Sequence, residues 1–203
     1  MTSRIEGNWQ NIATIPPRTY TCGHCGDKVS SSQGWTFNFP NISPANFGSV
    51  MIRVCPGCNR PTFMEGASFI PGIPFGEAVG KIPSDVEKLY EEARRCTALN
   101  AHTAAVLATR KLLMHIAVDR GAKPNENFQY YVEYLAGKGF VPPDGKAWVD
   151  HIRSKGNEAN HEIKIMTPDD ARDLLVFVEM LLKFIYEFPS RVPKPAAPAP
   201  SKP

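Results

Sequence analysis

The chain has 203 residues, 42% hydrophobic and 21% charged, enough apolar material for a buried core, which excludes a wholly disordered chain. No apolar run approaches the ~18 residues of a membrane span, and the opening MTSRIEGNWQ lacks the apolar centre of a secretory signal, so a cytoplasmic protein with no membrane partner is expected. Formal charge is +3, divided as +2 over residues 1–66, −2 over 67–188 and +3 over the last fifteen, so any nucleic-acid contact must come from a local site.

Residues 1–66 read as short β-rich pieces around two Cys-x-x-Cys pairs. Strands are expected at Tyr20–Cys22, over Gly34–Phe39, where polar and aromatic residues alternate, and over the β-branched run Ser49–Val54. Cys22-Gly-His-Cys25 and Cys55-Pro-Gly-Cys58 each make a tight turn that points two thiolates at one spot. Two such pairs complete a tetrahedral shell for one Zn2+. Gly23, Gly26 and Gly57 let these turns close without Cβ clashes. The 29 residues between Cys25 and Cys55 leave space for a small sheet, the layout of an N-terminal zinc ribbon.

A shell of four thiolates has no open coordination position, so the ion would be structural and not catalytic. Two rival readings exist. Cys-Gly-His-Cys matches the redox pair of disulfide isomerases, but that chemistry sits on a βαβ frame, not on turns and strands. Structural disulfides are disfavoured by the expected compartment. His24 reads as a surface residue within a knuckle, and Cys96, alone in a helical pattern, as a small core hydrophobe.

From Gly66 to Pro83 the chain is dense in Gly and Pro and reads as a linker over 67–83, with Phe69, Ile73 and Phe75 pinned against a neighbouring surface. Ser84 with Glu87 three residues on predicts a capping box opening a helix to about Asn100. A second helix is expected from Thr103 to Asp119, stopped by Gly121, and a third from Glu126 to Gly137. Pro142-Pro143-Asp144 opens a fourth, running through Trp148, Val149 and Ile152 towards His161. Thr167-Pro168-Asp169-Asp170 supplies an N-cap, a proline at the first helical position and acids in the first turn. The helix it starts, Pro168 to Phe188, is apolar enough to be the centre of a bundle.

The remainder, 189–203, is a Pro/Ala-rich segment that reads as a disordered tail or, failing that, as a ligand for a Pro-recognising domain. The expected fold is mainly α with a small β zinc module: a zinc-ribbon module over 1–66, a linker over 67–83 and a bundle of about five helices over 84–188.

One polar face interrupts the apolar helices. If the fourth helix persists through Gly156, which costs about 1 kcal/mol there, Arg153, Asn157 and His161 recur at i, i+4 and i+8 on one side. A guanidinium, an amide and an imidazole together would bind a phosphodiester; polar residues near a helix end equally cap it or lie in solvent. Arg110 and Lys111 are candidate additional phosphate contacts; alternatively Arg110 pairs with an acid on a neighbouring helix and Lys111 is solvated.

Three stretches carry a family resemblance: the paired knuckles with CPGCNRPTFM, then ALNAHTAAVLATRKLLMHIAVDRGA, then IRSKGNEANHEIKIMTPDDARDLLVFVEMLLKFIYE. Together they resemble the domain of unknown function 4145 family, which couples an N-terminal zinc ribbon to a helical domain. The helical part is similar to the wider HEPN group (higher eukaryote and prokaryote nucleotide-binding). Those are bundles of four or five helices, often dimeric; many are metal-independent ribonucleases of defence and toxin systems, and others bind without catalysis. The resemblance implies a HEPN-like bundle, a homodimer formed through it, and RNA or a protein as partner.

The active motif of that group is an Arg, a spacer of four to six residues with a polar residue next to the Arg, then a His. His161 and Asn157 match its His and its polar position, Gly156 stands where its Arg would be, and Arg153 sits one helical turn earlier. Two functions follow. One is a zinc-containing module that binds nucleic acid or protein without turnover. The other is a metal-independent endoribonuclease, in which His161 exchanges a proton with the 2′-hydroxyl or the leaving 5′-oxygen, Arg153 stabilises charge on phosphorus and Asn157 orients the phosphate. A small-molecule cofactor is not expected: the chain has no Gly-rich phosphate loop after a strand, no Gly-x-Ser-x-Gly elbow and no His-Glu-x-x-His helix.

Overall fold

Five antiparallel strands open the chain in the computed structural model, which describes residues 3–37, 50–141, 147–152, 154 and 165–191. They are β1 (Ala13–Thr21), β2 (Lys28–Thr36), β3 (Val50–Val54), β4 (Pro61–Glu65) and β5 (Ser68–Ile70), paired in sequence order as a meander. This sheet corrects the expected fold class. The chain is not mainly α with a small β zinc module; it joins a five-stranded antiparallel sheet to a set of helices.

The difference has identifiable causes. β1 begins at Ala13 and runs through Pro16 and Pro17, which argue against a strand on propensity. The register between β1 and β2 shifts between Thr14 and Arg18, so both prolines fall in an irregular part of an outer strand, where no ladder donor is required. β2 starts at Lys28 because Ser30 and Ser31 pair with β1 despite their polarity; of the strand expected at Gly34–Phe39, Gly34 to Thr36 form its end, and residues 38 and 39 lie outside the described residues. β4 and β5 form a hairpin with Glu65 opposite Ser68, leaving a two-residue turn at Gly66 and Ala67; Gly66 has the positive φ of 58° that such turns need.

The sheet curls until side chains of its two outer strands meet, with no strand pairing between those strands among the described residues. Arg18 Nη2 donates to the Gly66 carbonyl at 3.3 Å, its guanidinium sits 5.1 Å over the Phe69 ring, and the Tyr20 and Phe69 rings stack 6.3 Å apart. Where β1 ends, backbone meets backbone. A Cβ on Gly23 would lie 2.3 Å from the Gly72 carbonyl oxygen and 2.4 Å from that of Pro71, so only glycine fits.

The helices are α1 (Ser84–Ala98), α2 (His102–Asp119), α3 (Phe128–Gly137), the described helical residues 147–152 as α4, α5 (Pro168–Leu182), a π segment Lys183–Glu187 and α6 (Phe188–Arg191). The expected cap at Ser84 is not formed: Pro83 is the N-cap of α1 and makes no side-chain bond. The cap at Thr167 is. Its hydroxyl accepts from the Asp170 amide at 3.2 Å, Asp170 Oδ2 accepts from the Thr167 amide at 2.9 Å, and Pro168 takes the first helical position. Gly121, at φ 96°, ends α2 while the Ala122 amide reaches back to the Ala117 carbonyl at 2.9 Å.

Leu174, Leu175, Phe177, Val178, Leu181 and Leu182 of α5 are buried in one apolar cluster with Leu112, Leu113 and Ile116 of α2 and Val132 and Leu135 of α3. Trp148 of α4 meets Phe177 edge-on at 5.1 Å. Between sheet and helices, the Gly/Pro-rich stretch is held down by side chains. Arg94 donates to the carbonyls of Phe75 at 2.9 Å and Gly76 at 2.6 Å, and Tyr90 donates to that of Glu77 at 2.9 Å. Lys183 bridges Glu77 at 2.7 Å and Glu179 at 2.6 Å. The Gly72 amide ties the sheet to the end of α1 through the Ala98 carbonyl at 2.8 Å. Phe69 and Phe75 pack as expected, whereas Ile73 stays 60% exposed. Among the described residues no helix is long and apolar enough to cross a membrane.

Two substitutions test these joints. Thr167→Ala should cost about 1 kcal/mol of stability through loss of the capping box, measured by urea denaturation. Gly23→Ala should cost about 1–3 kcal/mol, because both atoms obstructing its Cβ are backbone and cannot rotate away; an unchanged transition would show that the two edges are not held in contact.

Candidate metal centre

Both knuckles are hairpin turns at one end of the sheet, the first joining β1 to β2 and the second joining β3 to β4. Their backbones repeat the same hydrogen bonds. In the first, the Gly26 amide donates to the Cys22 carbonyl at 2.8 Å and the Cys22 amide to the Asp27 carbonyl at 2.9 Å. In the second, the Asn59 amide donates to Cys55 at 2.9 Å and the Cys55 amide to Arg60 at 3.0 Å. The residue after the second cysteine is left-handed in each, Gly26 at φ 79° and Asn59 at φ 60°. Glycine and asparagine are the residues that reach that conformation at least cost.

The four Sγ atoms of Cys22, Cys25, Cys55 and Cys58 all lie within 4.8 Å of one another, and three of the four side chains are buried. Cys22 and Cys58 are separated by 3.8 Å and Cys25 and Cys55 by 3.9 Å. A tetrahedron of thiolates around zinc at a Zn–S length of ~2.3 Å has S–S edges of about 3.8 Å, so the spacing and donor set fit that ion. None of the four forms a disulfide. Three of the thiols are displaced from their usual range, and not in one direction. Burial pushes Cys25 up and Cys58 up to about 11. At Cys55 burial acts in the same direction, but the backbone N–H groups of Cys58 and Gly57 together with the Cys22 and Cys58 side chains outweigh it and hold that thiol below its usual range. A dication at the centre is what would keep all four as thiolates.

The second knuckle is gripped from outside by the start of the chain. Arg4 Nη1 donates to the carbonyls of Pro56 at 2.6 Å and Gly57 at 2.7 Å, and the Ile5 amide to that of Cys58 at 3.1 Å. Asn59 Nδ2 donates to the carbonyls of Ile5 at 3.1 Å and Gly7 at 3.0 Å, and Trp9 Nε1 to the Asn59 carbonyl at 3.0 Å. Arg4, Trp9 and Asn59 carry no motif signal; the one hint is the asparagine standing where the first knuckle has a glycine. His24 is not among the four ligands. Its Nε2 lies 2.9 Å from the Pro61 carbonyl, linking the first knuckle to β4.

Elsewhere the structure sorts the other candidates. Cys96 packs half-buried against the helical core, as a small hydrophobe. Arg110 is 4% exposed, its guanidinium 4.2 Å over the Phe128 ring, and Nη1 has no hydrogen-bond partner among the described residues. Burial lowers its pKa. It is neither presented to solvent as a phosphate contact nor joined to an acid by an ion pair among the described residues. Lys111 is exposed. Arg153, Asn157 and His161, the polar face proposed from spacing, lie outside the described residues.

A family model described as Domain of unknown function (DUF4145) matches residues 91–197, a span that begins after the last of the four clustered cysteines. No curated protein and no solved structure matches the chain.

Asn59→Ala should lower stability by about 1–2 kcal/mol and speed metal loss to a competing chelator, because it removes two hydrogen bonds and strains a left-handed residue. Asn59→Gly, which keeps the backbone but not the amide, should fall between the two; equal rates for all three proteins would show that the N-terminal segment does not support the knuckle.

Proposed function

The chain belongs to the Domain of unknown function (DUF4145) family, and from that premise we propose that it is a zinc-stabilised module that binds a macromolecular partner without turning over a substrate. One observation carries the reading: four cysteine sulfurs converge within 4.8 Å, a donor set that fills the coordination of zinc and leaves no position for substrate or activated water. The ion would act on architecture. It would tie the β1–β2 hairpin to the β3–β4 hairpin and, through the second knuckle, fix residues 4–9 against the sheet.

The likeness of the helical segment to the HEPN group supports RNA or a protein as the partner and a homodimer as the working form. The Gly156 that replaces the group's Arg favours binding over cleavage. The exposed face of the zinc-ribbon-like module is the natural place for such a partner, since the ion itself is enclosed.

Elemental analysis of the purified full chain should find one zinc per molecule, reduced at least tenfold by Cys55→Ser, with metal lost as pH falls because protons compete for the thiolates. A metal-free chain whose amide spectrum still shows an ordered β1–β4 region would overturn the zinc assignment. Incubated with total RNA in magnesium-free buffer, the protein should leave the RNA intact, and His161→Ala should behave identically. Cleavage that the substitution abolishes would replace the binding module with a ribonuclease.

A further inference from the structure

A cleft of about 440 Å³ opens where the curled sheet meets the turn between α1 and α2. Arg18 and Tyr20 of β1 and Phe69 of β5 form one wall, and Ala98 and Asn100 the other. A smaller hollow of about 170 Å³ shares Ile73, Thr97 and Asn100 with it and runs on to His102 and Arg172. The larger volume lies within the ~300–1,000 Å³ typical of sites that enclose small organic molecules.

The lining is one-sided in charge. It contains two arginines, a histidine and a tyrosine but no aspartate or glutamate. Arg18 makes no ion pair among the described residues. One long hydrogen bond to the Gly66 carbonyl and a ring contact with Phe69 leave most of its five donors uncommitted. A second guanidinium, Arg53, stands behind it with Nη1 and Nη2 already donated to the carbonyls of Ser31 and Pro16. Arg53 is shifted down by burial and then by repulsion from Arg18, so the two cations share one neighbourhood. At the far end the Arg172 guanidinium lies 5.8 Å over the Phe75 ring, and its ion pair among the described residues, with Asp169 at 3.3 Å, is exposed, which is a weak hold. Between the two ends Ile73 lies 60% exposed in the midst of the lining, an apolar side chain with nothing over it among the described residues.

We propose that this cleft binds a small organic oxyanion, its charged end held by Arg18 and its apolar body laid over Ile73 towards Asn100. A guanidinium fork matches the paired oxygens of a phosphate or a carboxylate, and an apolar body covers what solvent now touches. The site is remote in chemistry from the four cysteines and needs neither their metal nor a macromolecular partner, so it stands or falls apart from the binding-module reading.

The test is a titration of the full chain, followed by backbone amide shifts, with phenyl phosphate, benzoate and inorganic phosphate. Phenyl phosphate or benzoate should give saturable shifts at Ser68, Gly72, Thr97 and Asn100, and should bind on the order of ten-fold more tightly than inorganic phosphate. Whichever aryl anion binds tighter identifies the headgroup. Arg18→Gln keeps the stem and a donor for Gly66 but not the charge, and should weaken binding on the order of ten-fold. Ile73→Asp, at a position 60% exposed, should weaken it by a similar factor through a like charge in the cleft. No saturable shift with either aryl anion, inorganic phosphate binding as well as both, or affinity unchanged in the two variants would each overturn the proposal.

Discussion

Four sulfur atoms within 4.8 Å of one another, most of them out of contact with water, are stable together only as neutral thiols or around a positive ion. Neutral thiols would gain little from such convergence, since sulfur is a poor hydrogen-bond partner. The matching backbone bonds of the two knuckles aim the sulfurs inward. Much of the N-terminal architecture answers to this one point. Two hairpins are brought to a common end, a short N-terminal strap clasps the second turn, and Tyr20 and Met64 are packed beneath the cysteines in the same small cluster. With so few apolar residues in that cluster, an ion bridging the hairpins would contribute what a larger core supplies in a bigger domain.

What could be read from the amino acids alone was the local chemistry. The Cys-x-x-Cys spacing located all four converging sulfurs, and helical periodicity with its stop signals placed three helix ends within a few residues. The Thr167 cap formed because threonine, proline and an acid three residues on each serve the same helix start. Ser84 satisfied the same pattern and did not cap, because Pro83 already fixes the backbone at that point and the helix begins one residue earlier than the pattern required, with Ser84 inside its first turn.

The sheet was legible only in fragments, and that is why the fold class came out wrong. Strand propensity is mostly a measure of fit to a half-buried pleated surface. β1 carries two prolines and β2 a run of serines, so neither looks like a strand until its partner is known. The curl is further still from local signals. It depends on Gly23 approaching Pro71 and Gly72, residues almost fifty positions away, and on rings from the first and last strands stacking. The same holds for the stretch between sheet and helices. Its glycines and prolines suggest slack, yet Tyr90, Arg94 and Lys183 hold its backbone and its acid at successive points. Composition describes what a segment would do unaccompanied, and here the helices accompany it.

The position of the indoles has a practical consequence. Of the chain's three tryptophans, Trp9 and Trp35 meet edge to face at 5.8 Å, and Trp9 hangs by its ring nitrogen from the turn that follows Cys58. Loosening of that turn would change the polarity around one fluorophore and its coupling to the other, while Trp148 sits against Phe177 in the helices. Emission colour and intensity would thus report on the cysteine end of the molecule without any added label.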